Sequence, residues 1–153
     1  MTQYLFLKYI HVLLAIVAVG ANATYGVWMA MGAREPQHLR VVLQGIRYLD
    51  RRVANPAYAF LVVTGLAMVA VGDVRLTTPW MMAALVVYLV AAALGVRGFA
   101  PALRRQIQAV ESPGPQSEDY RRAATSARSL GLVFMVLVLV IVFLMVTKPA
   151  LWG

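Results

Sequence analysis

Four apolar stretches, each about as long as a bilayer is thick, leave this chain few folds to adopt. They run from Tyr4 to Met31, Pro56 to Gly72, Trp80 to Val96 and Leu130 to Val146. A helix rises about 1.5 Å per residue, so a hydrocarbon core of about 30 Å takes about 17–25 apolar residues to cross. The stretch Leu130–Val146 carries neither charge nor proline. Water does not solvate such a segment, and a chain of 153 residues is too small to bury four of them. The expected fold is all-α: a polytopic membrane protein with four transmembrane helices in an antiparallel bundle and helical cytoplasmic extensions. Residues 1–153 are read as a single membrane domain.

Composition fits. Hydrophobic residues make up 61% of the chain and charged ones 13%, against about 25% charged in soluble proteins. Mean hydropathy is +0.74. The first apolar stretch is too long for a signal peptide and lacks a basic leader, so it is expected to stay as a helix. The absence of cysteine excludes disulfides, iron–sulfur clusters and thiol chemistry.

The net charge of +8 is unevenly spread. Arg34, Arg40, Arg47, Arg51 and Arg52 lie between the first and second stretches. Arg97, Arg104, Arg105, Arg121, Arg122 and Arg128 lie between the third and fourth. Only Arg75 falls in the remaining connection, and each end has one lysine, Lys8 or Lys148. The positive-inside rule puts both arginine-rich connections in the cytoplasm and both termini outside. Alternation of this kind points to anionic lipid headgroups as the partner of the basic loops, and not to nucleic acid.

Those loops have their own pattern. From His38 to Val53, Arg40, Gln44, Arg47 and Arg51 mark one stripe and Leu39, Val42, Ile46, Leu49 and Val53 another. This predicts an amphipathic helix, lying in the interface or extending the second membrane helix inward. Asn55–Pro56 reads as an N-cap with proline at the first helical position. After the break at Ser112–Pro115, Ser117 with Glu118 and Asp119 reads as the start of the fourth helix.

Polar groups at apolar depth are costly and mark function. In the first stretch, His11, Ala15, Ala18, Asn22, Tyr25 and Met29 form one seam at spacings of four and three. Small and polar residues on one stripe mark the face turned to other helices. Lys8 falls on the same side. Three roles are open to His11: a hydrogen bond to a neighbouring helix, ligation of a haem or metal, and proton handling. His38 is on the arginine side, so bis-histidine ligation within one chain is excluded. Lys148 returns to the side of His11 and Lys8, where Trp80 and Trp152 fit an aromatic belt. Thr64–Gly65 reads as a close-packing position, and Met81–Met82 as core filler or a soft Cu(I) ligand pair.

Taken together, Leu7–Leu13, Arg51–Pro56 leading to Thr64–Gly65–Leu66, Thr78–Trp80 and Val146–Pro149 span almost the whole chain in order. This set resembles a family of small bacterial four-helix integral membrane proteins, defined as a domain of unknown function. More distantly the chain is similar to HemJ-type protoporphyrinogen oxidases and to the copper-resistance D membrane domain. The likeness to HemJ lies in Lys8 with His11, Arg51–Arg52 before Pro56, and Lys148–Pro149. It implies that His11 ligates haem b and that Lys148 is a partner or substrate contact. The likeness stops in the third helix, where HemJ-type enzymes carry a lysine after tryptophan and a further histidine. This chain reads Trp80-Met-Met-Ala-Ala-Leu-Val-Val-Tyr88 there.

The leading expectation is thus a haem- or porphyrin-binding protein of the bacterial inner membrane with a redox or electron-transfer role. Its site would comprise Lys8, His11, Ala15, Asn22 and Lys148, with His11 as the metal ligand. Two other classes stay open: a non-catalytic subunit or assembly factor, acting as a homo-oligomer or with partner membrane subunits, and a small copper-handling or transport protein. No nucleophile with a base, phosphate loop or carboxylate pair suggests a hydrolase or kinase.

Overall fold

The apolar stretches and their basic flanks fold together, as single long helices. The computed structural model describes residues 2–72 and 75–151. In chain order it contains α1 (Thr2–Arg34), α2 (Leu39–Leu49), a π-helical turn (Asp50–Ala54), α3 (Asn55–Val71) and α4 (Pro79–Leu94). A second π turn (Gly95–Phe99), α5 (Ala100–Glu111) and α6 (Glu118–Thr147) follow. The π turns join their neighbours without a break, so the backbone makes four helices of 30 to 33 residues. All four are long and apolar enough to cross a membrane. At 1.5 Å per residue each is about 45–50 Å long, well beyond a hydrocarbon core of about 30 Å. The excess lies at the arginine end.

Asn55 does not start a helix, contrary to the cap read from Asn55–Pro56. Pro56 has no N–H, and its ring would strike a carbonyl one turn back in a regular α-helix. The π turn widens the helix just before it: the Asn55 N–H donates to the Asp50 carbonyl, five residues earlier. The Asn55 side chain donates to Asp50 Oδ2 at 3.2 Å in place of capping. The same arrangement precedes Pro101, where the Ala100 N–H reaches back to Gly95. Each proline is absorbed by a π turn, and the helix runs on. At Ser117 the expected cap does form. Its Oγ accepts the Tyr120 N–H at 3.1 Å, with Glu118 and Asp119 in the first turn. Ser117→Ala should cost about 1 kcal/mol, measurable as a lower unfolding midpoint in detergent.

Two antiparallel hairpins make up the bundle. In one, α1 packs along α3 and α2; in the other, α6 packs along α4 and α5. They join at the arginine end, where α2 meets α5 and Arg40 Nε lies 3.0 Å from Glu111 Oε1. Side-chain burial follows the solvent. Leu43, Ile46 and Leu103 are the largest fully buried side chains, clustered with Tyr25, Leu39, Phe99 and Ile107. All but Tyr25 sit on the arginine-end extensions and the π turn beside them, where only protein can shield them from water. In the membrane portion Phe6, Ile16, Val63, Val86 and Phe143 face outward, because lipid tails solvate them. Most of what is buried there is small: Ala18, Ala57, Ala84 and Ala91 let the backbones approach closely, with Val138 and Leu144 the larger side chains buried on α6.

Candidate functional site

His11 is held by the opposite strut of its own hairpin. Its Nδ1 lies 2.8 Å from Thr64 Oγ1, on α3. The Thr64 hydroxyl has a single proton, and we assign it to its own helix, where carbonyl acceptors lie within reach. It donates to the Phe60 carbonyl at 2.8 Å, with the Leu61 carbonyl at 3.2 Å. With that proton committed, Thr64 can only accept from the imidazole, so the network assigns the hydrogen of neutral His11 to Nδ1. In that assignment the lone pair is on Nε2, for which no hydrogen bond is found among the described residues. Gly65 completes the seat. A Cβ there would make ordinary contact with His11 Cε1 at 3.4 Å, so the ring lies directly against the α3 backbone. Thr64–Gly65 is the close-packing position its sequence suggested.

The other residues of the seam divide between separate places. Lys8 is exposed and Ala15 half-buried, while Ala18 is fully buried. Asn22 is eleven positions beyond His11, about 16 Å along the axis, and its amide is committed. Nδ2 donates to the Ala18 carbonyl and to the Tyr58 hydroxyl, each at 3.0 Å. Asn22 thus serves the interface between α1 and α3. Lys148 ends α6 in the left-handed region (φ 46°), its N–H bonded to the Leu144 carbonyl at 3.0 Å. Its ammonium lies 5.6 Å from the centroid of the Trp80 ring, a cation–π contact that ties the end of α6 to the start of α4. Trp152 lies outside the described residues. His11 and Lys148 therefore sit on different hairpins, and no hydrogen bond or ion pair joins them among the described residues.

The hairpins touch through a band of aromatic rings. Tyr58 meets Phe134 edge to face at 5.7 Å, and the Tyr88 hydroxyl donates to the Tyr58 carbonyl at 2.9 Å. Tyr25 stacks on Phe99 nearer the arginines. Toward the chain ends, the polar contacts of His11 and Lys148 stay within their own hairpins, and the backbones of α3 and α4 make no close approach.

Residues 5–149 match the family described as "Predicted integral membrane protein (DUF2269)". The chain belongs to that family. No curated protein and no solved structure matches it. In this family member, no group of three or more His, Cys, Asp or Glu side chains that could hold a metal ion occurs among the described residues. A bare ion would find too few ligands at His11. Iron inside a macrocycle needs only an axial one, and an imidazole with its Nε2 lone pair free fits that requirement.

Sequence reading passed over a buried acid. Asp50 is 9% exposed, and its hydrogen-bond partner is Asn55. The signal was present: Leu39, Leu43, Ile46 and Asp50 fall at spacings of four, three and four, so the acid continues the buried stripe of α2. Close by in the same core, the Tyr25 hydroxyl is buried without a hydrogen-bond partner, as is Gln106 Oε1 on α5. Groups of this kind are rarely left unpaired in a native core.

Proposed function

We propose that this integral membrane protein binds haem b through Nε2 of His11 and serves in single-electron transfer. The hydrogen-bond chain from His11 to Thr64 to the Phe60 carbonyl carries the reading, because it frees the ligating nitrogen and fixes the ring. Haem iron supplies a one-electron couple, tuned by its axial ligand and by the low dielectric around it. His11 binds, Thr64 orients, and Ala15 one turn away keeps bulk off the face beside the imidazole. Lys8 and Lys148 sit at the same end of the bundle as His11 and supply positive charge suited to propionates at the membrane surface.

The arginine distribution supports a bacterial inner-membrane location with the arginine end cytoplasmic and both termini outside. Protein purified from haem-replete cells should show Soret absorbance. His11→Ala should abolish that band while leaving helix content and elution volume unchanged. Wild-type protein with no Soret band would overturn the proposal.

A further inference from the structure

A groove of about 290 Å³ runs between α5 and α6 at the arginine end. Alanines, Ala102 and Ala109 among them, make its walls smooth, and its polar groups are Arg105, Asp119, Arg122 and Ser126. Their order along the membrane normal is informative. The uncharged membrane stretch begins at Leu130, one turn beyond Ser126. Stepping outward along α6 at about 1.5 Å per residue, Arg122 lies about 6 Å beyond Ser126, and Asp119 about 4.5 Å further. A phospholipid presents groups in that same sequence: glycerol esters at the edge of the hydrocarbon, then phosphate, then whatever the phosphate carries.

We propose that this groove holds the headgroup of an ethanolamine phospholipid in the leaflet on the arginine side. The Ser126 hydroxyl stands at the level of the glycerol. Arg105 and Arg122, from opposite walls, stand at the level of the phosphate, the anion that guanidinium groups bind best. Asp119 stands where a primary ammonium would fall, two carbons beyond. Glu118 Oε1 already holds one Arg122 nitrogen at 2.7 Å, but a guanidinium offers five N–H donors and the rest stay free. The acid sets the choice of lipid. A glycerol headgroup gives Asp119 no charge to pair, and a choline headgroup gives it no N–H donor. Basic pockets between membrane helices are known to bind lipid phosphates.

The test is native mass spectrometry of the full chain with ethanolamine, choline and glycerol phospholipids of identical acyl chains. Wild type should retain the ethanolamine lipid about fivefold over the choline lipid, the scale of one net hydrogen bond, since both headgroups are cationic and only ethanolamine has N–H donors. Asp119→Asn should erase that preference without weakening the glycerol lipid. Arg105→Gln with Arg122→Gln should weaken all three. These side chains are exposed, so the variants should keep wild-type helix content. Equal retention of ethanolamine and choline lipids, or a preference that survives Asp119→Asn, would overturn the proposal. So would displacement of the lipid by equimolar soluble phosphoethanolamine, which would mark a small-molecule site.

Discussion

Leu43→Ala is expected to destabilise the protein by about 2–5 kcal/mol, the range for a leucine lost from a close-packed core. Leu43 is 0% exposed, on the arginine-end extension, packed with Ile46 and Leu103. Truncation leaves a cavity there, because side chains on four rigid helices close in only partly. The matched control is Leu139→Ala, which removes the same atoms from a residue 56% exposed in the membrane portion. Lipid tails flow into the space vacated, so its cost should stay below about 1 kcal/mol, as for other changes away from packed features. Denaturant titration of both variants in the same micelle measures the difference. Equal losses would mean that stability does not reside in the extensions.

Thr64→Val should weaken haem retention about 10- to 100-fold, the usual effect of removing the group that orients a ligating histidine. Valine keeps the β-branched shape but accepts no hydrogen bond, so the imidazole loses both its anchor and its bias toward Nδ1–H. Thr64→Ser restores the acceptor and should bind like wild type. Haem titration of the purified apoprotein reads both variants directly. If Thr64→Val binds as tightly as Thr64→Ser, the tautomer assigned from the Phe60 and Thr64 geometry has no bearing on the ligand.

Much of the fold was legible because it rests on local chemistry. Length and apolarity alone dictate four membrane helices, and the Ser117 cap and the amphipathic stripe after His38 are patterns within one or two turns. Asn55–Pro56 misled for a physical reason. Proline ends a regular α-helix locally, but here a π turn removes the clash and the packing of α2 and α3 on α1 keeps the helix continuous. Asp50 was legible on a helical wheel and still passed over, since an acid among arginines reads first as a solvated surface group.

The candidate site was half legible. Histidine at apolar depth flagged itself, because an imidazole in lipid needs a reason to be there. Its partner was hidden: Thr64 is 53 residues away, and nothing within α1 encodes that meeting. The same holds for Lys148 over Trp80 and for Asn22, whose amide turned out to serve Tyr58. Sequence alone determined that this chain enters a membrane, with how many helices and with all its arginines but Arg75 gathered at one end. Solvation of each segment by lipid or water settles those matters residue by residue. Only the tertiary structure decided which residue His11 meets and where the core lies. Those depend on the register of one helix against another, set by side chains far apart in the chain.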